Sequence, residues 1–142
     1  MQTKIVALDV YGTILNSEDI ENALPPIKGF GKFVVSVKQN NLILVTSSDA
    51  DLNNLRLDLE ATLSKIGLGL GIFDGFYKLD TCPKDFRGII DEYGIKPEQL
   101  FVVGDNYFKD IVGAEEIGCS VLRVPEYGRI DYGFDFATVE IP

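Results

Sequence analysis

Three apolar runs in this chain stop at the same kind of place. Lys4–Val10 carries a buried-strand pattern up to Asp9, Leu42–Val45 runs into Thr46-Ser47-Ser48, and Leu100–Val103 runs into Gly104-Asp105-Asn106. Each run is short and rich in β-branched residues, as in strands buried on both faces. Between them lie stretches with helical spacing. Ile27, Phe30, Phe33, Val34 and Val37 mark Ile27–Asn40, with Asn41 as a stop. Leu52, Leu55, Leu59 and Leu63 follow Asp49, which reads as a helix N-cap. Phe86, Ile89 and Ile90 mark Pro83–Tyr93 before Gly94, and Ile111–Ile117 is closed by Gly118.

Strands that alternate with helices imply right-handed crossovers and a parallel sheet covered on both faces. The expected fold class is therefore α/β: a Rossmann-like three-layer sandwich with a central, mostly parallel sheet. Ser120–Val124 reads as a fourth strand, Ile72–Lys78 as a strand or an ordered loop, and Phe136–Ile141 as an edge strand. The stretch Tyr127–Phe136 is aromatic and glycine-rich and receives no assignment. A length of 142 residues with short linkers fits a single domain, 1–142. Neither long connection, Leu15 to Leu42 or Asp49 to Lys78, has room for a cap domain, so the strand ends are expected to be open to solvent unless a second subunit covers them. A homo-oligomer is compatible with that.

The formal net charge is −9, from 22 acidic and 13 basic residues. Broad electrostatic binding to nucleic acid or an anionic membrane is therefore excluded as an expectation. There is no histidine, so no mechanism can use an imidazole of this chain. Cys82 and Cys119 form no close pair and read as free thiols of a reducing compartment. No run has membrane-spanning length and the chain enters a strand after three residues, so the cytoplasm is the expected location.

In open α/β sheets, ligands bind beyond the carboxyl ends of the strands. Asp9, Thr46 and Asp105 would then converge on one crevice. Two carboxylates there repel each other unless a cation sits between them. Mg²⁺ suits such a place, because it takes few carboxylates and accepts phosphate oxygens as further ligands. The residues alone thus point to a strand-end Mg²⁺ site with hydroxyl donors beside it.

The segments "DVYGTI", "LILVTSS" and "VVGDNYFKD", in this order with a lysine before the last, resemble the haloacid dehalogenase-like (HAD) hydrolase superfamily. The resemblance runs from Lys4 to about Val124. It implies a Mg²⁺-dependent phosphohydrolase in which Asp9 is the nucleophile and forms an aspartyl-phosphate. Asp9, Asp105 and the main-chain carbonyl of Tyr11 would bind the metal. Thr46, with the N–H of Ser47, would hold a phosphoryl oxygen. A lysine would neutralise the charge between Asp9 and the phosphoryl group, and Asp110 would orient that lysine or a water. Two lysines compete for the role: Lys84, 21 residues before Asp105 and favoured, and Lys78, 27 residues before it. The expected substrate is a small phosphorylated molecule or a phosphoprotein.

Tyr11 departs from the pattern. Most phosphatases of this superfamily carry a second aspartate there, which protonates the leaving group and then activates water. A phenol with a pKa near ~10 is a poor base at neutral pH. Low or unusual activity follows as the expectation, with Asp49 or a water held by Asp110 as substitutes. The alternatives are a catalytically impaired binding or regulatory module, and a 2-haloacid dehalogenase-type hydrolase, whose similar Asp-x-Tyr-Gly-Thr motif releases halide without protonation.

Overall fold

The structure is a computed structural model that describes residues 2–17, 19–21, 23–125 and 133–142. Five strands, β1 (Ile5–Leu8), β2 (Ile43–Ser48), β3 (Gly75–Lys78), β4 (Leu100–Gly104) and β5 (Ser120–Arg123), form one sheet in the order β3-β2-β1-β4-β5. Every pairing is parallel. Helices α1 (Phe30–Gln39), α2 (Leu52–Ser64), α3 (Arg87–Tyr93) and α4 (Val112–Glu116) complete the α/β fold.

The alternation of side chains along each strand divides the core in two. Val6 and Leu8 of β1 join Leu44 and Val103 against Phe30, Phe33 and Val37 of α1 and Leu55, Leu59 and Leu63 of α2. Ile5 and Ala7, on the other face, join Val45 and Val102 against Ile89 and Ile90 of α3 and Ala114 of α4. β1 is wholly buried because both of its faces are covered. This is the three-layer arrangement expected from the sequence. Among the described residues, the connection from β1 to α1 holds no further helix or named strand, and that from β2 to β3 holds only α2 and a 3-10 turn at Leu70–Ile72. No described helix is long and apolar enough to cross a membrane.

Four local expectations are corrected. Asp51, not Asp49, caps α2, its carboxylate accepting from the N–H groups of Asn53 and Asn54. Pro83 does not begin α3, which starts at Arg87: the Lys84 side chain is buried, and the Asp85 carboxylate accepts from the Arg87 N–H at 3.1 Å at the start of the helix. Ile111–Ile117 is instead a π-turn, Tyr107–Ile111, that runs into the short α4. Phe136–Ile141 is not an edge strand. It begins with a 3-10 turn, Phe136–Thr138, started by the Asp135 carboxylate accepting from the Ala137 N–H. Of the unassigned aromatic stretch Tyr127–Phe136, residues 127–132 lie outside the described residues.

Phe136 is buried and docks this last segment onto α1. Its ring lies 5.3 Å from Phe30, 5.0 Å from Phe33 and 4.9 Å from Phe134, centroid to centroid. Alternating polarity there reflects Phe136, buried, with Val139 and Ile141 partly buried against the same core, not a sheet register. Phe136→Ala is expected to cost about 3–5 kcal/mol in chemical denaturation. Val35→Ala, on the exposed side of α1, should stay within about 0.5 kcal/mol.

Candidate active site

β1 lies between β2 and β4, and Leu8 is in register with both Thr46 and Val103. The next residues on the three strands, Asp9, Ser47 and Gly104-Asp105, therefore emerge at one level. The strand order turns back on itself between β1 and β4, which is where an open α/β sheet splays apart and leaves a crevice. The turn after Asp9 closes onto that crevice. Gly12 has φ of 83°, and a Cβ there would lie 2.3 Å from Asp105 Oδ2. A side chain at position 12 would thus be strained in its backbone and would also displace Asp105.

Lys84 organises the centre. Its side chain is 1% exposed, and Nζ donates to Asp9 Oδ1 (3.1 Å), to the carbonyl oxygen of Ser47 (2.7 Å) and to Asp110 Oδ1 (2.5 Å). All three protons of the ammonium are used. Burial acts to lower its pKa, but Asp9 and Asp110 outweigh burial and raise it, so the side chain stays charged. Asp9 shows the opposite balance. Burial comes first, and with Asp110 and Asp105 it raises the carboxyl to about 7 against the opposing pull of Lys84.

Asp110 is buried within the π-turn, and its other oxygen accepts from the Asn106 N–H at 3.1 Å. Asn106 in turn receives the N–H of Lys109 on its side-chain oxygen (2.9 Å) and that of Asp110 on its carbonyl (2.8 Å). Gly104 leaves room for this. A Cβ on it would come within 2.5 Å of three Asp110 side-chain atoms. π-turns concentrate at functional sites, and this one brings Asp110 back under the end of β4.

Asp9, Asp105 and Asp110 each offer an oxygen, all within 4.8 Å of one another. Carboxylates set this closely repel one another, and a cation between them would relieve the repulsion. Both Asp110 oxygens are already engaged, which leaves Asp9 and Asp105 as the better cation ligands. The Thr46 hydroxyl adds a second indication. It is fully buried and, like the hydroxyls of Thr3 and Thr13, makes no hydrogen bond to another protein group, so an incoming oxygen would give it a partner. The donor set thus fits a hard cation with an oxyanion beside it.

The expected residues are distributed as follows. Asp9, Tyr11, Lys84 and Asp105 line a cleft of about 200 Å³ together with Ser48, Asp49, Asn106 and Lys109. Thr46, Ser47 and Asp110 are buried behind it. Lys78 ends the edge strand β3, is exposed, and does not line the cleft. The Tyr11 hydroxyl donates to Asp58 Oδ2 of α2. Burial and that bond raise the phenol's pKa further, so it holds its proton more firmly than an ordinary tyrosine. Asp49 instead pairs with Lys109, 2.8 Å from Nζ to Oδ2, and that bond holds its carboxyl below the ordinary range. Three participants were not read from the sequence in these roles. Asp58 carries no motif signal, and Lys109 lies inside the quoted VVGDNYFKD segment without a role read for it. Asn106 was visible only as part of the Gly-Asp-Asn turn.

Comparison with known proteins accords with this geometry. Residues 83–126 match a family model described as HAD-hydrolase-like. A glyceraldehyde 3-phosphate phosphatase from Pyrococcus furiosus is 28% identical over 94 residues, 62% of this chain. The chain spans only 38% of that relative's length. Among solved structures, a point mutant of CbbY from Rhodobacter sphaeroides, in complex with xylulose 1,5-bisphosphate, superposes with a TM-score of 0.74 at 13% identity, covering 96% of each chain. The N-terminal part of the protein BF1531 from Bacteroides fragilis, containing a phosphatase domain complexed with Mg, gives 0.70 at 20% identity over 88% of this chain and 37% of that one. Residues 83–126 are thus similar to the HAD-hydrolase-like family model, and the fold is shared with these solved structures.

Lys84→Met would leave Asp9 and Asp110 buried without their counter-charge. It is expected to destabilise the protein by about 3–5 kcal/mol in chemical denaturation with a chelator present, whereas Lys78→Met should change stability by less than about 0.5 kcal/mol.

Proposed function

We propose that this chain is a Mg²⁺-dependent phosphohydrolase of small phosphorylated molecules, acting through an aspartyl-phosphate on Asp9. The observation that carries this reading is the meeting of Asp9, Asp105 and a buried, fully engaged Lys84 at the turning point of the sheet. Asp9, Asp105 and the Tyr11 carbonyl would hold the cation, which when bound supplies positive charge against the carboxylates and the incoming oxyanion.

The chain's own residues divide the remaining work. An Asp9 oxygen attacks phosphorus, the ester P–O bond breaks, and the phosphoryl group is carried on the carboxylate. Lys84 holds Asp9 in place and faces the charge that spreads over the phosphoryl oxygens. Asp110 keeps Lys84 aimed there. The Thr46 hydroxyl and the Ser47 N–H receive a phosphoryl oxygen. Water then attacks phosphorus, and phosphate departs with regeneration of Asp9.

Proton transfer is the weak point. The departing alkoxide needs a proton and the attacking water must lose one, yet the Tyr11 proton is committed to Asp58 and Asp49 is held ionised by Lys109. Substrates with good leaving groups are therefore favoured, and the rate is low on alkyl phosphates. The same Tyr11–Asp58 bond supports the second reading, a module that binds phosphorylated ligands and turns them over slowly.

Hydrolysis of p-nitrophenyl phosphate, whose leaving group needs little protonation, is the direct test. Turnover should require Mg²⁺ and disappear in Asp9→Asn. Mg²⁺ binding without turnover supports the binding module, and chloride release from 2-haloacids without metal overturns both readings. Replacing Tyr11 restores the missing group, provided Asp58 does not repel it. The double variant Tyr11→Asp, Asp58→Asn is expected to raise alkyl phosphate hydrolysis by up to ~10²-fold, within the range of general acid–base catalysis. The p-nitrophenyl ester should gain much less, and an equal gain on both would mean that Tyr11 does not stand in the place of an acid.

A further inference from the structure

We infer that Lys109 is a specificity-determining residue that recognises a second anionic group, carboxylate or phosphate, on a substrate whose reacting phosphoryl group sits at Asp9. It would do so by exchanging its ion pair with Asp49 for one with the substrate. The inference rests on the phosphoryl-site reading above and adds the class of substrate to it.

Lys84 and Lys109 are the two cations among the described residues lining the cleft. Lys84 cannot turn to a second group, because its three donors are spent on Asp9, Asp110 and Ser47. Lys109 can. Its backbone is held on both sides, the N–H by the Asn106 side chain and the carbonyl by the Lys84 N–H, while its side chain reaches outward to Asp49. The two side chains are 45% and 44% exposed. An ion pair that water reaches is weakly held, so another anion can take the place of Asp49.

Position supplies the rest. Asp49 follows β2 and Lys109 follows β4, the two strands that flank β1. Their pair therefore spans the end of β1, where Asp9 emerges. A phosphoester seated at Asp9 must direct its remaining atoms outward past this bridge. A neutral tail leaves the bridge closed and gains no charged partner from it. A tail with its own negative charge meets Lys109 and displaces the Asp49 carboxylate into water, where that carboxylate is readily solvated.

Binding to the full chain at constant free Mg²⁺, read by calorimetry, tests this independently of turnover. Methylphosphonate carries the single group, and phosphonoacetate and methylenediphosphonate add a carboxylate or a second phosphonate. The wild type should prefer one or both two-headed ligands, and which one identifies the second group. Lys109→Gln should reduce that preference on the order of tenfold, the loss of one charge-assisted hydrogen bond, and Asp49→Asn should increase it by about threefold. Lys4→Gln, an equal charge change just before the opposite end of β1, should leave it as it is. An unchanged preference in Lys109→Gln, with methylphosphonate still bound, overturns the inference and spares the phosphoryl site. Absence of binding by all three ligands to the wild type overturns the phosphoryl site itself, and the role of Lys109 with it.

Discussion

The architecture of the strand ends depends on one buried ammonium group. Lys84 sits where three chain segments meet, and each of its protons goes to a different one: Asp9 at the end of β1, the Ser47 carbonyl in β2, and Asp110 in the π-turn after β4. A carboxylate in such surroundings is costly alone and tolerable beside a counter-charge. Gly104 admits Asp110 below β4. Gly113 admits the Lys84 segment beside α4, since a Cβ there would lie 2.3 Å from the Lys84 carbonyl oxygen. The backbone bond from Lys84 to Lys109 then ties the lysine's segment to the turn that supplies its partner.

The charge balance of this cluster gives the cleft its chemical character. One buried ammonium stands among three closely set carboxylates, an arrangement that suits a divalent cation, and the Thr46 hydroxyl lies buried on the adjoining strand. The rim works differently. There Asp49 and Lys109 neutralise each other in contact with water, and Tyr11 is turned toward α2 by Asp58. The proposed nucleophile, Asp9, thus stands among groups poorly placed to move protons. On that proposal, substrates whose leaving groups need little help are favoured, and a rim that selects by charge is consistent with it.

Much of the fold was legible because its signals are local and repeated. Buried parallel strands must be apolar on both faces, and helices that cover them must be apolar on one. Val6, Leu44 and Val102 report the first requirement, while Phe33, Leu59 and Ile89 report the second. The failures share a cause. Asp49 precedes a helix in the right way for a cap, but a distant lysine competes for its carboxylate and Asp51 takes the role. Pro83 suits a first helical turn, but the next residue, Lys84, is turned into the site by its distant partners and the helix starts only at Arg87. Phe136–Ile141 alternates like a strand because Phe136, Val139 and Ile141 pack on the core without joining the sheet.

From the linear order of residues follow the alternation of strand and helix, the acidic strand ends and the lack of imidazole chemistry, since burial and residue type impose these locally. Only the tertiary structure decided between Lys84 and Lys78 as the lysine beside Asp9, turned the Tyr11 hydroxyl to Asp58, and set Lys109 opposite Asp49. Each of those outcomes is a contact between groups 47 to 75 positions apart, or in one case its absence. Charged side chains at such separations find partners by where the folded backbone delivers them, and spacing along the chain carries no record of that.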